Sequence, residues 1–583
     1  MTEIRRRPPF HRDVARHASG LLRDFNAAEI LTAADVHVAS RVGHAVRETD
    51  ESALLAVAFA VRAARQGSVC VDFRDLVELA ASPSGDDAGL AWPDPGGWEE
   101  AVVESRVAAY GVVHHDLGRL YLDRYWREEC QVADDLASRA GLPVMVDAER
   151  LTSALGAAFP GTGYAEQREA ARVCCTHRTA IITGGPGTGK TTTIARLIAS
   201  LMALDGSRLR VALGAPTGKA AARITQAVQA ETTKHDFPLA AADVVSSLSA
   251  TTIHRLLGWR PESRNRFRHD RANPLPFDVV VVDETSMVSL SLLARLLEAV
   301  PPHARLVLVG DADQLTSFEA GAVLRDLVDG LGEGSHAVAH LRTSHRFRGA
   351  IAELADAVRV GDSAAALSIL ESDDPSAALV DDIEPAVREA ARDLHDAADR
   401  GDRGAALAAL GRHQLLCAHN SGPFGARWWN REVASWLATS LGVDYLRGWY
   451  PGQPLLVTEN DYSLGLFNGD TGVVVRDPET GRLSALLGDG AAAQGRDLHL
   501  SRLAEVTTAH AMTVHRAQGS QYDEVSVVLP EPGSRLLTRE LFYTAVTRAR
   551  HTVRVRGSRE AVVAAVEQRA VRATGLADRL RAT

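Results

Sequence analysis

Lysine is almost missing from this chain: of its 64 basic residues only Lys190, Lys219 and Lys234 are lysines. Where arginine has taken nearly every basic position, a surviving lysine either persists by chance or marks a site that needs a compact point charge rather than a planar fork. Cysteine is scarce too. The five residues Cys70, Cys130, Cys174, Cys175 and Cys417 form no CxxC pair, which argues against a zinc ribbon or iron–sulfur cluster and for reduced, mostly buried thiols. No apolar run of about 18 residues and no signal peptide is found, so a cytoplasmic protein without a membrane span is expected. An excess of positive charge is lacking as well. A net charge of −10 excludes coating of nucleic acid by bulk attraction. Any nucleic-acid contact must lie in a local groove, leaving acidic surfaces for partner subunits. Repeats and low-complexity tails are absent.

What is present is a chain of 583 residues, long enough for several domains. Residues 1 to about 150 read as largely helical, with "ESALLAVAFAVRAARQGSVCVDF" an amphipathic helix ending at Gly67 before a short strand. Part of its apolar set, Leu54, Leu55, Val57, Ala58 and Val61, is expected in the small domain's own core and the remainder in an exposed docking patch. From about 165 to 350, the apolar runs "TAIITG", "LRVALGAP", "DVVVVDE" and "RLVLVGD" alternate with helical patterns. Such alternation specifies a parallel sheet covered on both faces. A second α/β region follows, interrupted at roughly 450–505 by a Gly-rich stretch of short β-like runs. The acidic, alanine-rich segment 371–404 reads as solvated helix.

"TAIITGGPGTGKTTTIARLI" places G-x4-G-K-T between a strand and a helix. Glycines allow the tight turn that aims backbone N–H groups at phosphates, and the helix N-terminus adds partial positive charge. Gly184, Gly185, Pro186, Gly187, Thr188, Gly189, Lys190, Thr191 and Thr192 are therefore expected to bind ATP. Lys190 should reach the β- and γ-phosphates, and the Thr191 hydroxyl should bind Mg²⁺. In "FDVVVVDETSM" a buried strand delivers Asp283, a second magnesium ligand, with Glu284 beside it to activate water. An acidic pair ending a strand is often only a helix cap; the phosphate loop is what raises it to a catalytic pair. Together they indicate an NTPase, without saying what hydrolysis drives.

Further motifs resemble those of superfamily-1 helicases. "LVLVGDADQL" resembles motif III, implying that Gln314 senses the γ-phosphate. "YAEQREAARV" resembles the Q-motif region, with Gln167 reading adenine. "GAPTGKAAARITQA" and "TTIHRLLG" resemble motifs Ia and Ib, placing Thr217, Lys219, Thr252 and His254 along DNA. "LRTSHRFRG", "AMTVHRAQGSQYDEV" and "ELFYTAVTRAR" resemble motifs IV, V and VI. They imply arginine fingers at Arg346 and Arg548, contributed across the cleft, and DNA contacts at Thr513 and His515.

Within that superfamily the chain resembles the RecD family over nearly its whole length, in "ILTAADVHVASRVG", "GRLYLDRYWREE", "LLCAHNSGPFGARWWN" and "PGQPLLVTENDYSLGLFNGDTGVVV" among others. The resemblance implies an α/β architecture of two RecA-like P-loop motor domains with parallel sheets, a helical N-terminal domain and a small SH3-like β-barrel insertion. The expected divisions are residues 1–150 for docking on a partner, 151–348 for the first motor with a short arm at about 259–276, and 349–583 for the second motor with its insertion at about 450–505. It further implies a 5′→3′ DNA helicase using ATP and Mg²⁺, acting on double-strand ends and the 5′-ended single strand. RecB-like and RecC-like subunits would complete a heterotrimer. The chain departs from the family pattern at Thr316, Ser317 and Phe318, at Arg516-Ala517 and at His345. None of these removes an ATP-site residue, so the departures bear on coupling between ATP and DNA. An autonomous helicase and a mainly structural or regulatory subunit are the alternatives. No acidic cluster of nuclease type lies outside the ATP site.

Overall fold

The computed structural model describes residues 11–582 apart from 75, 77–89, 207, 261–266, 317–318, 333–336, 346–348, 442–447, 462 and 489–494. The expected arginine finger Arg346, the departures Ser317 and Phe318, and part of the arm lie outside the described residues.

The N-terminal region builds a core of its own from helices Gly20–Ala27, Ala33–Val46, Glu51–Arg65 and Pro95–Glu104. A small antiparallel sheet joins them, made of β1 (Cys70–Asp72), β2 (Val113–Asp116) and β3 (Arg119–Leu122) in the order β1-β3-β2. Phe25, Phe59, Trp92 and Trp98 meet mostly edge-on at centroid separations of 4.6–6.4 Å, geometry that the ring quadrupoles favour. The docking patch expected here is corrected in part. Leu55, Val57 and Ala58 are fully buried in this core, and Leu54 and Val61 pack against it. Among the described residues, the large exposed apolar side chains up to residue 150 are Val38, Val103, Tyr110, Leu117, Leu142 and Met145 instead. A 100° helical period marks which residues share a face but not which neighbour covers that face.

The first α/β domain follows with β4 (Thr179–Gly184), β5 (Val211–Ala215), β6 (Ala250–Thr252), β7 (Val279–Val282), β8 (Arg305–Gly310) and β9 (Val338–Leu341). They pair in the order β6-β5-β7-β8-β4-β9, every pair parallel. All four valines of β7 and all six residues of β8 are buried. Continuous burial of β-branched residues is what a strand covered by helices on both faces requires.

The rest of the chain supplies β10 (Ala377–Val380), β11 (His413–Cys417), β12 (Pro454–Val457), β13 (Thr471–Arg476), β14 (Leu483–Leu487), β15 (Arg496–Leu498), β16 (Val506–Thr508), β17 (Ala511–Thr513), β18 (Tyr522–Val528) and β19 (Ala549–Arg556). A second all-parallel sheet runs β10-β19-β18-β11-β17. Inserted between β11 and β17 is an antiparallel sheet in the order β15-β14-β13-β12-β16. One of its faces packs Val473, Val475 and Leu486 against Leu394, Ala398 and Leu407, from helices Glu384–Asp399 and Arg403–Arg412. The segment read as solvated helix therefore has a buried face. Its acidic residues mask an apolar stripe, Val387, Ala391, Leu394 and Ala398, spaced 4, 3 and 4 residues apart as one helix face demands.

The C-terminal residues leave the second α/β domain and return to the first. The Ala573 carbonyl accepts from the backbone N–H groups of Val69 and Cys70 at 2.8 and 3.3 Å. Helix Leu576–Ala582 then lies against helices Val323–Leu331 and Asp123–Ala140. Buried Glu129 accepts from Thr574 Oγ1, the Gly575 N–H and Arg579 Nε. Arg579 also pairs with Asp116, and Arg119 with Asp578. Gly330 makes the close approach of the helices feasible, since a Cβ there would stand 2.9 Å from the Ala577 Cα.

Candidate nucleotide cleft and nucleic-acid groove

Strands β4, β7 and β8 carry their chemistry at their C-terminal ends, where open parallel sheets bind ligands. Beyond β4 the loop turns through Gly187 and Gly189 at φ of +83° and +87°, a region that side chains with a Cβ seldom enter. The Lys190 ammonium donates to the Gly184 and Gly185 carbonyls at 2.6 and 2.9 Å. The Thr188 hydroxyl donates to the Gly185 carbonyl, and Gln167 Nε2 donates to the Thr188 carbonyl at 3.0 Å.

A cleft of about 690 Å³ opens here, lined by Gln167, Pro186, Gly187, Gly189, Lys190, Thr191, Thr192, Asp283, Glu284, Gln314 and Arg548. That volume is in the range of ligand sites. Gly184, Gly185 and Thr188 stand behind the lining; a Cβ on Gly185 would lie 3.0 Å from the Tyr543 hydroxyl of the opposite domain. Glu284 sits at φ +53°, ψ +40°, the left-handed region that a glutamate occupies at a cost of about 1–3 kcal/mol and that is concentrated at functional sites. Its N–H donates to the Asp283 carboxylate at 2.9 Å. Burial and the Glu284 charge push the Asp283 carboxyl up, while Lys190 and Arg223 pull it down. Thr191 and Asp283 offer a hydroxyl and a carboxylate, hard oxygen donors of the kind Mg²⁺ takes.

The opposite domain closes the cleft. Arg548 is 2% exposed, and its guanidinium donates to the carbonyls of Thr544 and Ser520 and to the Thr547 hydroxyl. Burial holds it below the ordinary arginine value, with Glu284 opposing. Gln314 Nε2 donates to buried Asp311 at 2.9 Å, and the Tyr543 hydroxyl reaches the same carboxylate oxygen across the cleft at 3.2 Å. Leu315 adds two cross-domain bonds: its N–H donates to Thr544 Oγ1 at 2.8 Å and its carbonyl accepts from Gln518 Nε2 at 2.6 Å.

All six residues expected along DNA, Thr217, Lys219, Thr252, His254, Thr513 and His515, line one separate groove of about 840 Å³. Thr217 and Thr252 also cap helices Gly218–Thr232 and Ile253–Leu256 by accepting from backbone N–H groups, which fixes them at the groove edge. Lys219 and Arg516 line it, and among the described residues no carboxylate does. A chain of charge −10 thus keeps a local groove whose charged lining, among the described residues, is Lys219 and Arg516. Burial lowers His254, and burial followed by the Arg572 charge takes His515 down to about 4. Both rings are neutral at neutral pH and act there as hydrogen-bonding or stacking groups.

Several lining residues were not singled out from the sequence. Tyr164, Arg223 and Gln521 line the nucleotide cleft, and Trp259, Asn420, Asn460 and Asn468 line the groove; Lys234 and His345, named in the sequence for other reasons, line the cleft as well. Lys234 had a signal, being the third surviving lysine. It pairs with Glu231 at 2.7 Å beside Arg196, whose guanidinium lies 4.4 Å from the Tyr164 ring centroid. Arg223 stands one helical turn beyond Lys219. The asparagines come from loops and carried no pattern.

Comparison with known proteins accounts for most of the chain. The RecBCD enzyme subunit RecD N-terminal domain matches residues 27–116, an AAA domain residues 167–320 and a UvrD-like helicase C-terminal domain residues 508–555. The RecBCD enzyme subunit RecD of Mycobacterium tuberculosis is 52% identical over 590 residues, covering 98% of each chain. That of Mycolicibacterium smegmatis is 52% identical, covering 95% of this chain and 98% of the relative. The ATP-dependent RecD2 DNA helicase of Deinococcus radiodurans is 33% identical over 80% of this chain and 59% of its own length. A crystal structure of Bacteroides Pif1 bound to ssDNA matches 68% of this chain and 93% of that one at 15% identity and a TM-score of 0.39, a likeness too slight to bear on the assignment. With two parallel α/β domains meeting at a phosphate loop, and relatives alike over 98% of their length, the chain belongs to the RecD family of ATP-dependent superfamily-1 DNA helicases.

Proposed function

We propose that the chain is the 5′→3′ motor of a RecBCD-like helicase–nuclease, hydrolysing ATP to travel along the 5′-ended strand at double-strand DNA ends. The observation that carries this reading is the pairing of a nucleotide cleft, lined from both α/β domains, with a groove that holds Lys219 and Arg516 and, among the described residues, no carboxylate. In the cleft, Lys190 binds the β- and γ-phosphates, Gln314 contacts the γ-phosphate and Glu284 orients the attacking water. Arg548, from the opposite domain, stabilises developing charge together with Arg346 near the domain boundary. Gln167 reads the adenine. Thr191 and Asp283 would hold Mg²⁺, which when bound neutralises charge on the phosphates.

In this reading residues 1–150 form the docking domain, 151–348 and 349–583 are the two motors, and 450–505 is an SH3-like insertion. RecB-like and RecC-like subunits complete a cytoplasmic heterotrimer. Phosphate contacts make DNA binding weaken with salt. The test is unwinding of partial duplexes by the full chain, alone and with both partner subunits. A 5′ single-stranded overhang is expected to be required; a strict requirement for a 3′ overhang overturns the polarity, and no DNA-stimulated ATPase in either setting overturns the motor.

A further inference from the structure

Four consecutive residues, Gln518 to Gln521, join the two sites. Gln518 lines the nucleic-acid groove and Gln521 the nucleotide cleft. Between them, each carbonyl is held by a different guanidinium. Arg223 Nη1, from helix Gly218–Thr232 of the first α/β domain, donates to the Gly519 carbonyl at 2.8 Å. Arg548 Nη1, from the second domain, donates to the Ser520 carbonyl at 3.3 Å. Gly519 stands at φ +75°, so the loop turns sharply between the two holds. Gln518 Nε2 ties the same loop to the Leu315 carbonyl, next to Gln314.

Arg223 is therefore placed twice. It lines the nucleotide cleft, near enough to Asp283 to lower that carboxyl. It also lines an adjoining cavity of about 400 Å³ between its helix and the second domain, bordered by Lys219, Gln521 and Arg550. A guanidinium has five N–H donors in a fixed fork and prefers a phosphate to a neutral carbonyl, because the phosphate adds an opposite charge and can accept two parallel N–H bonds. A γ-phosphate entering the cleft thus competes with the Gly519 carbonyl for Arg223.

We propose that Arg223 is a positioning residue that couples the nucleotide to the DNA: its hold on the Gly519 carbonyl sets the Gln518–Gln521 loop, and phosphate binding loosens that hold and resets Gln518 in the groove. This rests on the motor function proposed above. Lys219, one turn earlier on the same helix, carries the opposite end of the movement to the DNA phosphates.

The coupling is reciprocal and measurable as the ratio of ssDNA dissociation constants with and without a non-hydrolysable ATP analogue. It is read on the full chain with a fluorescent oligothymidylate. Arg223→Ala and Arg223→Gln are expected to bring the ratio, read at saturating nucleotide, to within about twofold of one, while melting temperature stays close to that of the unaltered chain. Arg223→Lys, with its charge and one donor kept, is expected to retain an intermediate ratio. A ratio in either neutral variant equal to that of the unaltered chain overturns the proposal while leaving the motor function standing. A ratio of one in the unaltered chain, without DNA-stimulated ATPase, overturns both.

Discussion

At the residue scale the nucleotide chemistry was the most legible part of the chain. Lys190, Thr191, Asp283, Glu284 and Gln314 were read from strand–loop contexts, and all of them line one cleft. Backbone turns of this kind are local, so sequence carries them. Arg223 and Tyr164 escaped because their placement depends on elements folded from far along the chain. Replacing Lys190 by Gln or Glu284 by Gln should lower DNA-stimulated ATP hydrolysis by about 10²–10⁴-fold. Circular dichroism and melting temperature should stay unchanged; near-normal turnover in either variant sinks the assignment. A second prediction concerns acid. His510 is buried, bonded to the Tyr450 hydroxyl at 2.8 Å, and burial takes it down to about 3. An unfolded histidine titrates near 6.5, so between these values the unfolded chain binds the extra proton. Its contribution is thus fully present above about pH 6.5 and is lost as the pH falls towards 3. His510→Gln should accordingly lose less stability than the unaltered chain between pH 7 and 5 in urea melts. Parallel losses in the two proteins would exclude His510 from the acid response.

At the scale of elements, strands were easier to place than the surfaces helices present. The parallel strands announce themselves through unbroken valine and leucine runs, as in β7 and β8. The helix Glu384–Asp399 does not, since its composition is acidic while its buried stripe is alanine-rich. The small arm gives another case: Trp259 pairs with Phe267 in an antiparallel bridge and turns a 37% exposed indole into the groove. Stacking of a base on such a ring is worth about 1–3 kcal/mol. Trp259→Ala should therefore weaken ssDNA binding by roughly fivefold to a hundredfold, with little change in the salt dependence. Lys219→Ala should instead reduce the slope of log affinity against log salt by about 0.7, the value for one phosphate contact on a single strand. Titration at four salt concentrations separates the two, and a steeper slope for Lys219→Ala would contradict the groove assignment. Between helices, Gly330→Val should cost about 1–3 kcal/mol by overpacking, because Ala577 leaves no room for a side chain. Chemical denaturation measures it.

For the whole molecule, two α/β domains and an inserted β region were legible from alternating patterns. The way the chain closes on itself was not. A sequence shows the C-terminal helix Leu576–Ala582 as an ordinary last element; only the fold shows that it belongs to the far side, on helix Val323–Leu331. The second α/β domain is consequently spliced to the first at both of its ends. One splice is the segment after β9, where the Arg342 and Thr343 N–H groups donate to Glu166 and the His345 N–H donates to the Gly187 carbonyl. The other is the C-terminal helix Leu576–Ala582, seated on helix Val323–Leu331. A body fastened at one point swivels in three directions, whereas one fastened at two separate points keeps a single easy rotation about the line joining them. In the proposed motor, opening and closing of the nucleotide cleft would accordingly follow the axis through the two attachments.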